Sequence, residues 1–236
     1  MKRPVVHRIA VPALVAVLAI LLASCATVNR LEQIRLDEPA LAAVLAPPPQ
    51  PSLDTWYDLG IDTRNPIGTV LRVGSSIVLA AEAEKAAARM REALGEVDVP
   101  AVVFEESTAR CVRALGADRV NDTRAADLVL DLEIEEYGIN APSWGAAVSL
   151  ELSVTVRLYE RRSRDLVWRR HLSVSQRASP EVFGLPSPAE TIFTAAMLAS
   201  LSTKEMERGF EYLAHYAART VGELLEHDLR KARGGW

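Results

Sequence analysis

Hydrophobic and polar residues alternate most regularly in the middle of the chain. From residue 128 to 135, leucine or isoleucine at even positions alternates with valine, aspartate or glutamate at odd positions. From residue 148 to 158, valine or leucine alternates with serine, glutamate, threonine or arginine. Because successive side chains of a strand point to opposite faces, each segment predicts a strand with one buried and one solvated face.

A third apolar stripe follows a short charged turn. The turn, residues 161–165, reads Arg-Arg-Ser-Arg-Asp, and the stripe after it consists of Leu166, Trp168, Leu172 and Val174. Consecutive amphipathic strands with a short charged connection are typical of an antiparallel hairpin. The three segments together therefore predict an antiparallel meander.

Helical periodicity flanks the meander on both sides. Upstream, apolar residues recur at helical spacing over residues 75–94 and predict a helix there. Downstream, helices are predicted over about 188–201 and 203–229, with Ser202 and Glu205 in the positions of a capping box. Helices packed on one face of an antiparallel sheet define an α+β domain, which is the predicted fold class.

Shorter elements are predicted next to the first helix. Gly95 is expected to end that helix, since glycine is common at helix C-termini. Residues 69–73 and 99–104 are interpreted as strands. Residues 107–115 are interpreted as a short helix that ends at Gly116.

The first 24 residues have the layout of a signal peptide. Lys2, Arg3 and Arg8 precede an uncharged run from Ile9 to Leu22, which is the order of a secretory signal. A helix of this length reaches about 21 Å, less than the roughly 30 Å hydrocarbon core that a permanent spanning helix must cross. The run therefore favours a cleaved signal over a retained anchor.

The segment Leu22-Ala23-Ser24-Cys25 resembles a bacterial lipobox. The resemblance implies that the nucleophilic sulfur of Cys25 receives a diacylglyceryl group, and that acyl chains such as palmitate anchor the protein to a membrane. In Gram-negative lipoproteins an aspartate after the cysteine signals retention in the inner membrane. For a Gram-negative host, Ala26 therefore implies an outer-membrane anchor that faces the periplasm.

Residues 25–55 are predicted to form a lipidated tether, and residues 56–236 the periplasmic domain. Prolines between positions 39 and 51 lack amide donors and have a fixed φ, which disfavours helix and sheet. Thirty such residues span roughly 30 Å as a coil and up to about 90 Å if extended, so the domain would stand clear of the membrane. The amphipathic residues Leu31, Ile34 and Leu36 either pack on the domain or the bilayer, or belong to an unstructured spacer.

The mature chain is acidic. Residues 1–24 carry three basic and no acidic residues, so their removal leaves 24 Lys and Arg against 31 Asp and Glu, a net charge near −7. This balance argues against a nucleic-acid partner, whose phosphates require a basic field. With Cys25 lipidated, Cys111 has no partner for an intramolecular disulfide, so stability depends on a hydrophobic core.

The sequence predicts a protein that is not an enzyme and holds no metal or cofactor. The histidines of the mature chain, His171, His215 and His227, lack ligand-like spacing to each other or to cysteine. Ser173, His171 and Asp165 have the residue types of a hydrolase triad, but no nucleophile-elbow sequence surrounds the serine. The pattern leaves open whether a small-molecule ligand is bound.

Two charged surfaces are predicted around the meander. The acidic residues Asp131, Glu133, Glu135 and Glu136 alternate with leucines, which favours a solvated strand face over paired catalytic carboxylates. Seven arginines gather around the predicted hairpin: Arg157, Arg161, Arg162, Arg164, Arg169, Arg170 and Arg177. They either form a basic tip for anionic lipid, glycan or an acidic partner, or pair with the acidic strand beside them.

The chain also resembles small lipoproteins that serve envelope machines, over roughly residues 69–230. The segment Ala126-Asp127-Leu128-Val129-Leu130, a long alternating strand, a charged turn, Leu166-Val167-Trp168 and a final helix carry this resemblance. The chain is similar to auxiliary lipoproteins of ABC-type lipid transporters. Residues 179–201, before the last helix, form an insertion that departs from the pattern of these lipoproteins. The resemblance implies a non-catalytic accessory or adaptor subunit of an envelope transport complex. The alternative is a regulator or structural component of peptidoglycan synthesis or secretion machinery.

Overall fold

A six-stranded sheet with helices on one face forms the frame of the domain. The computed structural model describes residues 27–34, 38–51, 77–140, 147–186 and 192–234. The strands are β1 Val28–Asn29, β2 Ala40–Leu45, β3 Asp118–Arg119, β4 Leu128–Asn140, β5 Ser149–Glu160 and β6 Leu166–Arg177. In the sheet they lie in the order β1-β6-β5-β4-β2-β3.

The three long strands form the predicted antiparallel meander, with β5 between β4 and β6. Leu130, Leu158 and Trp168 face one another across these strands, and each is 0% exposed. Apolar rows of this kind bury the sheet face that meets the helices, which confirms the predicted α+β class. The sheet as a whole is mixed, because β2 runs parallel to both of its neighbours, β3 and β4.

Four helices lie among the described residues: α1 Ile77–Glu96, α2 Val99–Leu115, α3 Ala195–Ser200 and α4 Thr203–Ala232. The predicted capping box at the start of α4 is confirmed, since the Ser202 hydroxyl accepts from the Glu205 amide while the Glu205 carboxylate accepts from the Ser202 amide. Helix α1 continues past Gly95, where its end was expected. Of the helix predicted over 188–201, residues 188–191 lie outside the described residues, and the described part is helical in α3 from Ala195 to Ser200.

The strand predicted over residues 99–104 is wrong, because these residues form the first half of α2. Oδ1 of Asp98 caps this helix by accepting a hydrogen bond of 3.0 Å from the Ala101 amide. Pro100 fits in the first turn, where its missing amide needs no partner. The helix ends at Gly116, as predicted for the 107–115 segment, and this glycine adopts a left-handed φ of 64°.

The structure corrects the tether predicted over residues 25–55. Strands β1 and β2 both lie in this stretch, and β2 is an internal strand of the sheet. Leu31 is 3% exposed and Leu41 0% exposed, and Ile34 packs against the same core. Of the two alternatives for Leu31 and Ile34, packing on the domain is therefore the correct one. The prolines flank β2 and do not interrupt it.

Some predicted features lie outside the described residues. They are the signal peptide with Cys25, Leu36, the stretch from residue 52 to 55 and the strand predicted over 69–73. The first described strand, β1, begins three residues after Cys25.

Candidate functional site

The short strand β1 attaches the beginning of the domain to the edge of β6. Its two residues are in antiparallel register with β6, Val28 with Arg169 and Asn29 with Trp168. The Arg30 amide then donates a hydrogen bond of 2.7 Å to the Val167 carbonyl. The turn that follows, Leu31–Gln33, contacts both α4 and β6. The chain is therefore held by the sheet from residue 28 onward.

A buried carboxylate joins α4 to the same part of the sheet. Asp228 on α4 is 1% exposed. Its Oδ2 accepts hydrogen bonds of 2.7 Å from the Trp168 indole and 2.6 Å from Nε of Arg170, and its Oδ1 accepts one of 2.6 Å from Nη2 of Arg170. The Asn29 side-chain amide donates to the Asp228 backbone carbonyl at 3.4 Å. We call these four residues the Asp228 junction.

The charge of Asp228 is stabilised inside the protein. Burial alone would raise the pKa of Asp228, but hydrogen bonds from Arg170 and Trp168 and the positive charges of Arg170 and His227 outweigh it and lower the pKa. A bidentate Arg–carboxylate pair fixes geometry as well as charge. The junction therefore holds β1, β6 and the last turns of α4 in one arrangement.

The predictions from the sequence do not include this junction, although the sequence contains a signal for it. Arg170 interrupts the apolar stripe of β6 between Trp168 and Leu172, and Asp228 stands next to Leu229 in the apolar stripe of α4. A charge at a buried position is costly unless an opposite charge meets it. Two opposite charges on the inward faces of two elements therefore predict a buried ion pair between those elements.

The opposite face of β4, β5 and β6 is polar, as the alternation predicts, and we call it the open face. Arg157 on β5 links two acidic residues of β4, with Nη1 3.2 Å from Oδ2 of Asp131 and Nη2 2.6 Å from Oε2 of Glu133. On β6 the open face continues with Arg169, His171, Ser173, Ser175 and Arg177. The charges thus change from mostly acidic on β4 to mostly basic on β6.

A β-bulge at Glu135 shapes the middle of the open face. The residues on either side of it, Ile134 and Glu136, pair with the adjacent residues Val154 and Ser153 of β5, so Glu135 is the extra residue. A bulge of this kind changes which residues face each side of the sheet. As a result, Glu135 and Glu136 are both exposed although they are consecutive.

Glu135 contacts three polar side chains across the strands, Thr155, His171 and Ser153. Its Oε1 accepts a hydrogen bond of 2.6 Å from Thr155 and lies 3.5 Å from Nδ1 of His171. Partial burial would raise the pKa of Glu135, but the Thr155 hydrogen bond, the charge of His171 and a hydrogen bond from Ser153 outweigh it and lower the pKa. The cluster is a hydrogen-bonded network on the sheet surface.

The residues of the candidate triad do not come together. Nδ1 of His171 lies 3.2 Å from Oγ1 of Thr155, and within the described chain no hydrogen bond joins His171 to Ser173 or Asp165. The described residues contain no group of three or more His, Cys, Asp or Glu placed to hold a metal ion. Within the same ranges, none of the helices is both long enough and apolar enough to cross a membrane.

The seven arginines predicted around the hairpin divide into two groups. Arg157 and Arg170 form the ion pairs described above, and Nε of Arg161 donates a hydrogen bond of 2.5 Å to the Ala126 carbonyl. The others have no ion-pair partner among the described residues: Arg162, Arg164, Arg169 and Arg177. Local pairing with the acidic strand is therefore correct for Arg157, while Arg162 and Arg164 of the hairpin turn form no ion pair with any residue that the structure describes.

No protein-family model matches the chain, and no curated protein matches it. Among solved structures it is similar to the crystal structure of protein XCC0632 from Xanthomonas campestris, of family model DUF330. The similarity has 14% sequence identity and a TM-score of 0.32, and it covers 55% of this chain and 65% of that one. The chain thus spans slightly less than two thirds of this neighbour, and a TM-score this low establishes neither a shared fold nor a shared function.

Proposed function

We propose that this chain is a lipid-anchored protein of the bacterial envelope whose domain is a non-catalytic accessory subunit of an envelope transport system. The lipobox-like segment that ends at Cys25 carries the proposal. The acyl chains would place the domain on the periplasmic face of the outer membrane, since Ala26 and not aspartate follows the cysteine. The attachment of β1 to β6 supports an anchored role, because the lipid would be joined to a rigid sheet by a few residues.

The open face supports a role in binding a protein partner. Its charged groups are held in place by neighbours on the sheet: Arg157 by Asp131 and Glu133, and Glu135 by Thr155. Side chains that are already ordered lose less conformational entropy when a partner binds. A surface that changes from acidic to basic across three strands also favours one orientation of a partner with complementary charges.

The first test concerns the anchor. The full chain is produced in a Gram-negative host, and its mass is compared with that of a Cys25→Ser variant. We expect the native chain to start at Cys25 and to carry a diacylglyceryl group with an additional acyl chain, and the variant to lack them and to leave the membrane fraction. A native chain without acyl groups, or a variant that still sediments with the envelope, would contradict the proposed anchor.

The second test concerns the partner. A photo-crosslinking amino acid is placed at Ser175 on the open face, and in a control at Glu211, which is exposed on α4. We expect Ser175 to crosslink to a permease or to a lipid-binding component of a transporter, and Glu211 not to do so. Crosslinks to a peptidoglycan synthase or a secretion pore would refute the transport role and favour the alternative. Absence of any crosslink from either position would also count against an accessory subunit.

A further inference from the structure

We infer that the side of the domain around β1 lies directly on the bilayer, where a patch of unpaired cationic side chains contacts anionic lipid headgroups. This inference rests on the proposed acylation of Cys25. It deepens that proposal by naming the surface that meets the membrane and the lipid chemistry that the surface recognises. The domain would then rest on the bilayer, whereas a long tether would hold it at a distance.

The position of β1 limits how far the domain can be from the lipid. Val28 is paired with Arg169 in the sheet, and Cys25 precedes Val28 by three residues. Three residues of extended chain reach about 10 Å. A lipid on Cys25 therefore holds the β1 edge within about one lipid-headgroup layer of the surface, whatever conformation these three residues adopt.

Three separate segments bring positive charge to this edge. Arg30 directly follows β1, and its amide is bonded to β6. Arg230 and Lys231 lie in the last turn of α4, next to Asp228, whose carbonyl accepts from Asn29. The third segment is the hairpin turn with the start of β6. The three segments contribute the side chains that we call the basic patch: Arg30, Arg162, Arg164, Arg169, Arg230, Lys231 and Arg233.

The basic patch is available for an external partner. Among the described residues none of its seven side chains forms an ion pair, and all are exposed or half-exposed. The same segments carry four acidic residues that are exposed or half-exposed, Glu32, Glu160, Asp165 and Glu226, while Asp228 is neutralised by Arg170. The edge is therefore positive on a chain whose mature part is negative. Phosphate groups of anionic lipids fit this charge, and guanidinium groups bind phosphate in a bidentate manner.

The lysines of the chain provide an internal test. Once Lys2 is removed with the signal peptide, they are Lys85, Lys204 and Lys231. Lys231 belongs to the basic patch, whereas Lys204 lies in the first turn of the same helix, about 40 Å away. The side chain of Lys204 is 76% exposed.

The acylated full chain is placed on vesicles of phosphatidylglycerol and phosphatidylcholine, or of phosphatidylcholine alone, and amine acetylation at each lysine is followed by mass spectrometry.

On the anionic vesicles we expect acetylation of Lys231 to slow several-fold relative to Lys204, and 0.5 M salt to reverse much of this protection. Arg169→Glu with Arg230→Glu should abolish the protection. Arg91→Glu with Arg113→Glu changes the net charge equally at exposed positions on α1 and α2, and should leave the protection intact. Equal acetylation of Lys231 and Lys204, or equal protection on phosphatidylcholine alone, would overturn the inference.

Failure of the anchor can be distinguished from failure of this contact. If mass spectrometry shows no acyl group on Cys25, the anchor proposal fails. The contact is still tested, because the free Cys25 thiol of that chain can be coupled to a maleimide phospholipid in the same vesicles. Protection of Lys231 in the coupled chain supports the basic patch as a lipid-binding surface, and unprotected Lys231 refutes it.

Discussion

The indole N–H of Trp168 donates a hydrogen bond of 2.7 Å to the carboxylate of Asp228, across sixty residues of sequence. The same carboxylate binds Arg170 through both of its oxygens. One side chain of the last helix thus fixes two side chains of β6, the strand with which β1 is paired. The orientation of this edge relative to the rest of the domain depends on that carboxylate.

Replacement of the junction carboxylate should be strongly destabilising. Asp228→Asn keeps the size of the side chain but leaves the Arg170 guanidinium, which is 26% exposed, without its counter-charge. We expect the free energy of unfolding to fall by about 2–3 kcal/mol, since breaking one partner of a buried pair leaves an uncompensated charge. Urea denaturation followed by tryptophan fluorescence measures this loss. Glu226→Gln, an exposed change in the same turn, should alter the value by less than about 0.5 kcal/mol.

The junction should also contribute to loss of stability in acid. The pKa of Asp228 is lowered in the folded protein, so its contribution is fully present above the unfolded pKa of about 3.9 and is lost as the pH falls through the folded pKa. We expect the difference in Tm between the native chain and Asp228→Asn to be largest near neutral pH and to shrink below about pH 4. A difference that stays constant from pH 7 to pH 2 would refute this role of the carboxylate.

Two glycine substitutions should change stability in opposite directions. A Cβ at Gly209 on α4 would lie 2.4 Å from Cε1 and 2.7 Å from Cδ1 of Phe183, whereas a Cβ at Gly95 on α1 would meet nothing within 4 Å. We expect Gly209→Ala to cost about 1–3 kcal/mol through overpacking. Gly95→Ala should instead stabilise the helix by up to about 1 kcal/mol. Thermal unfolding of the two variants checks this, and a similar effect of both would contradict the close packing of α4 on Phe183.

Cys111 should be unreactive in the folded protein. It is fully buried on α2, and burial raises the pKa of its thiol to about 12. Because the thiolate is the reactive form, we expect a thiol reagent to modify the folded Cys25→Ser variant only at the rate at which the domain opens. In denaturant the same thiol should react within minutes. Rapid modification of the folded variant would show that α2 is not packed as described.

The sequence predicts the meander and α4 correctly because their patterns have local causes. Alternation from Val148 to Leu158 can bury one face only as a strand, and the Ser202–Glu205 capping box fixes the start of α4. The sequence also carries a sign of the bulge. Glu135 and Glu136 are two consecutive polar residues, and after them the buried positions of the strand have odd residue numbers where they had even ones before. The alternation that predicts this strand ends at residue 135, whereas β4 continues to Asn140.

The two elements that the sequence did not predict have different causes, a distant one for β2 and a local one for α2. Strand β2 reads Ala-Leu-Ala-Ala-Val-Leu and has no alternation, because Leu41 and Ala42 are both 0% exposed. Its identity as a strand comes from pairing with β4, more than eighty residues later. For α2, the valines after residue 98 favour a strand by propensity. The cap formed by Asp98 outweighs this preference, and Asp98 followed by Pro100 was the local sign of a helix start.

The hydrogen bond between Asn29 and Asp228 closes a loop of 199 residues. A chain emerges from synthesis and export with its N-terminal end first, so Asn29 is present long before Asp228 is available to bind it. On the proposed acylation, the modifying enzymes therefore meet Cys25 at the end of a still unfolded leader, which gives them unhindered access. Arg230 and Lys231 join the basic patch only when the final helix arrives, so on the proposed docking the complete patch would meet the bilayer late in the maturation of the protein.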